Sequence, residues 1–196
     1  MARKRDDEGR EPTITERARR SQIIDVTRGI VADHGYSGAS LAGIARAAGV
    51  TKAAVLYYFP SKAAIVEAAY ADTLHALVSA VAAALDSADP KERPAAYIRA
   101  MVGHLREHPG SVRMITEAMR SGDADHAREE RWGPLAAVIE EAAAAQGVGT
   151  AHARDLAVIV GGGIDGIVIE QLEDPDYDSA AAAERLVAML ESMIAH

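Results

Sequence analysis

Residues 40–62 read SLAGIARAAGVTKAAVLYYFPSK, and they contain two short helical patterns joined by a glycine turn. In the first pattern, Leu41 and Ile44 begin a series of apolar residues at the spacing of one helix face. Ser40 precedes this face, where a hydroxyl can cap the first turn. Gly49 follows it, where a left-handed residue can end a helix.

The second pattern begins after the turn. Thr51 can cap a helix from Lys52 to Phe59, and Pro60 breaks the chain after it. Two short helices joined by a tight turn form a helix-turn-helix, whose second helix can enter the major groove of DNA. The spacing also fits an ordinary helix pair in any all-helical protein, so both interpretations stay open on spacing alone.

The outer face of the second helix favours DNA. Thr51, Lys52, Tyr57 and Tyr58 are clustered there, and Lys62 lies just beyond. Hydroxyl and ammonium groups of these kinds donate hydrogen bonds to phosphate oxygens. A helix with a purely structural role would have less reason to gather them.

These residues carry a family resemblance. Residues 49–62 resemble the helix-turn-helix signature of the tetracycline-repressor (TetR) family: Gly-Val, Ser or Thr, a short variable run, an aromatic pair, Phe, a variable residue, Ser or Asp, and Lys. Tyr58 departs from this pattern because the family often has His there, and Leu56 stands where many members have another aromatic residue. The resemblance covers about the first 70 residues closely.

The resemblance and the cluster of polar residues together predict the DNA contacts. The phosphate-binding and base-reading residues expected on this basis are Arg17, Ser40, Thr51, Lys52, Ala53, Tyr57, Tyr58 and Lys62. Ala53 is expected to approach base edges or thymine methyl groups, and the others mainly to hold phosphates.

Composition predicts an all-α chain, and the helical patterns along the chain number about nine. The 196 residues are 49% hydrophobic but only 4% aromatic, Ala is very abundant, and strand-like alternation is absent. The chain has no Cys, which excludes disulfides and fits the reducing cytoplasm in which we expect the protein to act. No continuous apolar run reaches the roughly 20 residues that span a bilayer, and the N-terminus lacks the apolar segment of a secretory signal.

No catalytic, cofactor or metal chemistry is expected. His104 and His108 are one helical turn apart but lack further metal ligands. The stretch Gly161–Gly166 resembles a phosphate-binding loop only in its glycines, because it follows no strand and lacks the Lys that such loops need. No Ser-His-Asp arrangement can be assembled, so we do not expect an enzyme.

The charge is divided unevenly along the chain. Residues 1–62 hold 11 Lys and Arg against 7 Asp and Glu, a net charge of +4, whereas residues 63–196 hold 10 and 22, a net charge of −12. A basic head on an acidic body is typical of a DNA-binding domain joined to a separate second domain.

The sequence therefore predicts three segments. Residues 1–12 form a disordered tail, residues 13–62 the helix-turn-helix domain, and residues 63–196 a helical ligand-binding and dimerisation domain. A long helix from Ser61 to about Asp86 would link the two domains. In the TetR family the last two helices of each subunit form a four-helix bundle with the partner, which implies a homodimer. The glycines at 161–163 would allow close helix approach there or beside a ligand.

The resemblance also implies a small-molecule pocket in the body. The candidate lining residues are His75, Met101, His104, Leu105, Met114, Glu117, Met119, Trp132 and Asp165, each of which could equally be ordinary core or surface. Asp165 attracts most interest because a carboxylate among apolar residues needs a partner, which a ligand could supply.

We interpret the sequence as a ligand-responsive transcription regulator, a repressor that binds a palindromic operator as a dimer and is released by a small molecule. The alternative is an all-helical small-molecule-binding or protein-interaction protein without DNA function. Neither the effector nor the operator can be named from the residues.

Overall fold

The protein is described here by a computed structural model that covers residues 13–120, 131–149 and 152–194, without the side chains of residues 117–120. The chain folds into two compact units: unit 1 ends at Ala69 and unit 2 begins at Tyr70. The predicted tail at 1–12 and the predicted helical residues at 126–130 lie outside the described ranges. The boundary predicted after Lys62 remains a prediction.

The described ranges contain nine α-helices and no strand. The helices are α1 Ile14–Gly38, α2 Leu41–Ala47, α3 Lys52–Tyr58, α4 Lys62–Asp86, α5 Arg93–Glu107, α6 Pro109–Arg120, α7 Gly133–Ala145, α8 Ala153–Glu173 and α9 Ser179–Ile194, with a 3-10 turn at Pro90–Glu92 before α5. The prediction of an all-α fold is confirmed.

Helix α1 begins slightly earlier than the sequence pattern indicates. We expected a start near Thr15, but Thr13 is the N-cap: its hydroxyl accepts from the Glu16 N–H while the Glu16 carboxylate accepts from the Thr13 N–H. At the other end, the backbone of Gly35 has φ 69° and ψ 176°, which interrupts the helical geometry. The expected stop at Gly35 is therefore present as a kink, three residues before the helix range ends.

The core of unit 1 joins the first three helices to the start of α4. Its fully buried side chains are Ile23, Ile44, Val55, Phe59 and Ile65. Because these residues come from α1, α2, α3, the segment after α3 and α4, their burial fixes the orientation of the short α3 helix, which is too short to be stable alone.

Helix α4 is long and apolar enough to cross a membrane by length and composition, although no continuous apolar run in it is that long. One such helix is weak evidence, since helices of water-soluble folds pass the same test. The exposed side of α4 also carries Asp72, His75 and Ser79, which a lipid-facing helix would bury at high cost.

Helices α5, α7, α8 and α9 supply most of the hydrophobic core of unit 2. Its core is aliphatic: Ile98, Leu135, Ile139, Val160 and Leu190 are each at most 1% exposed. Pro134 lies in the first turn of α7, where its missing N–H costs no helical hydrogen bond.

Two glycines of α8 have packing roles. A Cβ atom on Gly161 would lie 1.9 Å from a ring carbon of Trp132, so the indole packs directly on the backbone there. A Cβ atom on Gly163 would lie 3.0 Å from Leu186 of α9. Gly162, between them, faces solvent with nothing within 4 Å.

Candidate functional site

Hydrogen bonds at both ends of α2 and at the start of α3 fix the turn between the two helices and so position α3. The Ser40 hydroxyl accepts from the Gly43 N–H at the start of α2, and the Gln22 amide donates to the Ala48 carbonyl at its end. Gly49 has φ 63°, a left-handed value that L side chains rarely adopt. The Thr51 hydroxyl then accepts from the Ala54 N–H at 3.1 Å, as the sequence predicts.

One face of α3 is exposed and mixes polar with apolar side chains. Thr51, Lys52, Ala53, Leu56 and Tyr57 are all exposed, and Tyr57 retains 66% of its accessible surface. Tyr58 is half-buried and contacts Tyr57 edge-on, with ring centroids 5.1 Å apart. The structure thus brings the predicted residues of α3 to one surface.

Capping leaves a donor on each hydroxyl. Ser40 and Thr51 use an oxygen lone pair to accept a backbone hydrogen bond. A hydroxyl has one hydrogen to donate and a second lone pair, so the same groups can still donate to a phosphate oxygen. Structural capping and DNA contact are therefore compatible roles for these residues.

The other two predicted cations of unit 1 have different surroundings. Lys62 Nζ donates to the Tyr36 carbonyl at 3.0 Å and lies 3.9 Å from the centre of the Tyr36 ring, and Tyr36 itself is 37% exposed. An ammonium has three N–H donors, so Lys62 can also donate a hydrogen bond to a phosphate. Arg17 is exposed on the first turns of α1.

Sequence reasoning missed Arg20 as a residue that orders this region. Its guanidinium lies 4.3 Å from the centre of the Phe59 ring, and one Nη donates to the Tyr58 carbonyl at 3.3 Å. Arg20 thereby supports the C-terminal end of α3. The clustering of arginines at the start of α1 was the available signal, but the separation of 38 residues from Tyr58 gave no indication of the contact.

In unit 2, the partner that Asp165 needs is supplied by the chain itself. Arg131 Nη2 donates to both carboxylate oxygens of Asp165, at 2.7 and 2.6 Å. The same guanidinium lies 4.5 Å from the centre of the Trp132 ring. Asp165 therefore does not need the ligand that we expected could be its partner.

Burial shifts the pKa values of three groups in unit 2. Burial raises the pKa of Asp165, and the Arg131 charge and hydrogen bond oppose that shift. Burial also raises the pKa of Tyr97, against an opposing effect of Arg131. The pKa of His104 is lowered by burial and by His108, whose ring stacks on it at 4.3 Å.

The other predicted ligand contacts are scattered. His75 is exposed on α4, Met101 and His104 are half-buried on α5, and Met114 is 1% exposed on α6. The side chains of Glu117 and Met119 lie outside the described residues. His104 Nε2 is buried and has no hydrogen-bond partner within the described ranges, so it could bond a ligand.

The described part of unit 2 also contains a cavity of about 610 Å³ that the sequence did not reveal. It lies where the end of α5 and the start of α6 meet the end of α8 and the start of α9. Leu105 is the only predicted ligand contact among its lining residues. Arg106, Arg113 and Ser179 line it too, and nothing in their local sequence distinguishes them from ordinary helix-end residues.

Metal ligands are not gathered in the described ranges. No group of three or more His, Asp and Glu side chains there could hold a metal ion. His108 Nδ1 instead lies 2.8 Å from the His104 carbonyl oxygen at the end of α5.

The last two helices expose a patch of apolar side chains. Val158, Ile159 and Ile169 of α8 are exposed, as are Met189 and Met193 of α9, and Ile159 and Met189 retain more than half of their surface. Gly162 and Gly166 lie between the exposed residues of α8 and add no side chain. We call these seven residues the C-terminal apolar patch.

Comparison with known proteins extends these observations. Residues 23–69 match the family model for bacterial regulatory proteins of the tetR family. The HTH-type transcriptional regulator RutR of Escherichia coli K12 is 31% identical over 127 residues, which are 65% of this chain and 59% of RutR. The chain thus spans less than two thirds of the length of this curated relative.

Solved structures share the fold over nearly the whole chain. A TetR-like transcriptional regulator from Rhodococcus sp. RHA1 superimposes with a TM-score of 0.73 at 21% identity, covering 94% of this chain and 96% of that one. The transcriptional regulator FadR of Bacillus subtilis, in complex with stearoyl-CoA, superimposes with a TM-score of 0.75 at 20% identity, covering 88% and 97%.

Proposed function

We propose that this chain, whose residues 23–69 match the tetR family of bacterial regulatory proteins, is a DNA-binding transcription regulator of that family that reads its operator with α3. The observation that carries the proposal is the exposed face of α3, where Lys52 and Tyr57 stand beside Ala53 and Leu56. Lys52, the hydroxyls of Thr51 and Tyr57, and Lys62 bind phosphates, as do Arg17 and Ser40.

The apolar residues of α3 provide the base contacts. The exposed side chains Ala53 and Leu56 have no hydrogen-bonding groups, so they read thymine methyl groups rather than polar base edges. Specificity then depends on methyl contacts and on the shape of the operator more than on bidentate hydrogen bonds.

The test is a salt titration of DNA affinity. Fluorescence anisotropy with a palindromic fragment from the gene's own upstream region should show affinity that falls steeply as salt rises. Lys52→Ala should lower the salt slope by about 1 per half-site. Lys91→Ala, at an exposed lysine of the 3-10 turn in unit 2, is the matched control. Absence of binding at low salt would refute the DNA function and favour a protein-interaction role for unit 1.

We propose further that the protein acts as a homodimer through the C-terminal apolar patch. Exposed aliphatic and Met side chains on two adjacent helices, with glycines between them, allow close packing against a second copy. Two copies of α3 held one helical turn of DNA apart, or slightly more, would match a palindromic operator.

We propose that the regulator is a repressor and that a small molecule releases it. Support for an effector comes from the cavity in unit 2 and from His104, whose buried Nε2 has no partner in the described ranges. The other ligand contacts predicted from the sequence, such as His75 and Asp165, remain candidates for contact with this effector. A ligand lowers DNA affinity only by the difference in its affinity for the two protein states, so release requires a state with wrongly spaced heads that binds it better.

A further inference from the structure

The cavity between the ends of α5 and α8 and the starts of α6 and α9 has two chemically distinct parts. Its apolar part includes Val102, Leu105, Val112 and Val168, all less than 9% exposed. Its polar part includes the exposed arginines Arg106 and Arg113. A volume of about 610 Å³ is within the range of pockets that hold small organic ligands.

Ser179 gives independent evidence that the cavity is a binding site. The residue lines the cavity and is 1% exposed, and its hydroxyl has no hydrogen-bond partner among the described residues. Buried hydroxyls are normally paired, and an unpaired one is costly. A ligand atom that bonds this hydroxyl would remove that cost.

The charges that line the cavity favour an anion. Arg106 lies at the end of α5 and Arg113 in α6, so two helices each contribute an arginine to the lining of one cavity. Arg106 is 3.8 Å from Glu107, a long ion pair between exposed side chains that a better partner can replace. Asp178, the lining carboxylate, already accepts from the Ala181 N–H at the start of α9. A guanidinium matches a carboxylate with two parallel hydrogen bonds.

We infer that this cavity binds an amphipathic carboxylate: its apolar chain lies against Val102, Val112 and Val168, and its carboxylate meets Arg106 or Arg113. Ser179 donates to or accepts from a polar group of the same molecule. As the effector site, this assignment rests on the proposed function; as a binding site, it does not. The ligand would contact α8 and α9, which also carry the C-terminal apolar patch, and so would link occupancy to dimer geometry.

The experiment uses the purified full chain and decanoate, with 1-decanol as the neutral probe of equal length. Isothermal titration calorimetry below the critical micelle concentration should show decanoate binding at least about tenfold more tightly than decanol, because only the carboxylate pairs with arginine. Equal affinities for the two probes, or no decanoate binding, would overturn the assignment.

Three variants locate the site. At least one of the variants Arg113→Met and Arg106→Met should weaken decanoate binding several-fold, and both should leave decanol binding unchanged. Ser179→Ala should leave the melting temperature of the ligand-free protein unchanged or higher, because it removes an unpaired hydroxyl, and yet should weaken decanoate. Arg154→Met, at an exposed position of α8 outside the cavity lining, is the control. Full decanoate affinity in both arginine variants would place the carboxylate elsewhere and refute the inference.

A separate measurement distinguishes this inference from the proposed function. If decanoate binds as described but the protein binds no DNA at low salt, the cavity assignment stands and the regulatory function fails. If the protein binds DNA but does not bind decanoate, the assignment fails and the DNA function stands.

Discussion

The helix caps of unit 1 and the long-range ion pairs of unit 2 join residues at very different distances along the chain. In unit 1, Ser40, Thr51 and Ser61 each accept a hydrogen bond from a backbone N–H three residues later. In unit 2, Arg131 pairs with Asp165 over 34 residues, and Arg99 pairs with Glu184 over 85. The first kind of contact shapes a helix end at the surface, whereas the second exists only after the helices have packed.

Substitutions in the two units should therefore affect different properties of the protein. Exposed side chains on α3 can be changed without disturbing the core beneath them, so changes there should alter DNA affinity more than stability. Groups such as Arg131, Trp132 and His104 lie partly inside unit 2, so changes there should alter stability, its pH dependence, or both.

The largest expected effect tests whether unit 1 can act alone. Ile159→Glu puts a charge in the C-terminal apolar patch, so the dimer should dissociate and operator affinity should fall by about 100-fold or more, because two linked half-site contacts become one. Sedimentation at micromolar concentration and anisotropy measure the two quantities. Val78→Glu, at a 63% exposed apolar residue of α4, is the control. A monomeric wild-type protein, or unchanged operator affinity in the variant, would show that α3 needs no second copy.

The second-largest effect is a loss of stability from a substitution that disrupts the long-range packing of unit 2. Gly161→Ala places a methyl group where the Trp132 ring lies, so the indole must move and unfolding free energy should fall by about 1–3 kcal/mol. Gly103→Ala, in the interior of α5 with nothing within 4 Å of an added Cβ and outside the C-terminal apolar patch, should instead raise stability by roughly 0.5–1 kcal/mol through helix propensity. Urea titrations give both values. Equal effects at the two positions would mean that Trp132 does not pack on α8 as described.

The third effect concerns the ion pair. Arg131→Met removes the partner of a half-buried carboxylate and should lower stability by about 1 kcal/mol at pH 7, a modest value because both side chains are partly exposed. Burial already raises the pKa of Asp165, and without Arg131 that pKa should rise further. The folded state then holds its proton more tightly than the unfolded state, so the variant loses stability as pH rises through that pKa.

The difference between the Arg131→Met variant and wild type should therefore shrink as pH falls towards 4. Arg154→Met on the exposed side of α8 should show no such convergence. A gap that stays constant from pH 7 to pH 4 would mean that the lost arginine acted through packing on Trp132 rather than through its charge.

The smallest effect belongs to His104. Its pKa is lowered from the ordinary 6.5, so the unfolded state takes up the proton first, and stability that is full above about pH 6.5 is lost as pH falls below it. His104→Gln should therefore flatten the decline in stability below pH 6.5. Thermal melts across this range measure it, and a steep decline that persists in His104→Gln must come from other groups.

Much of unit 1 could be predicted from local signals. The Ser40 and Thr51 caps, the left-handed Gly49 and the end of α3 before Pro60 each depend on residues within about one helical turn, so the linear order of the chain contains them. Once Ile44 and Val55 are identified as core residues, the opposite face of α3 can be predicted to be exposed. The Arg20 contact with Phe59 could not be predicted, because it joins residues far apart in the chain.

The candidate ligand sites show the opposite case. Composition and periodicity identified the helices of unit 2 and placed Asp165 among apolar residues, but they could not supply Arg131 as its partner. The cavity has the same origin: Arg106, Arg113, Val168 and Ser179 come from four helices, and only packing brings them together. Helix ends and apolar faces are set by neighbours along the chain, whereas cavities and long-range ion pairs depend on which faces meet, a choice made by the free energy of the whole packed unit.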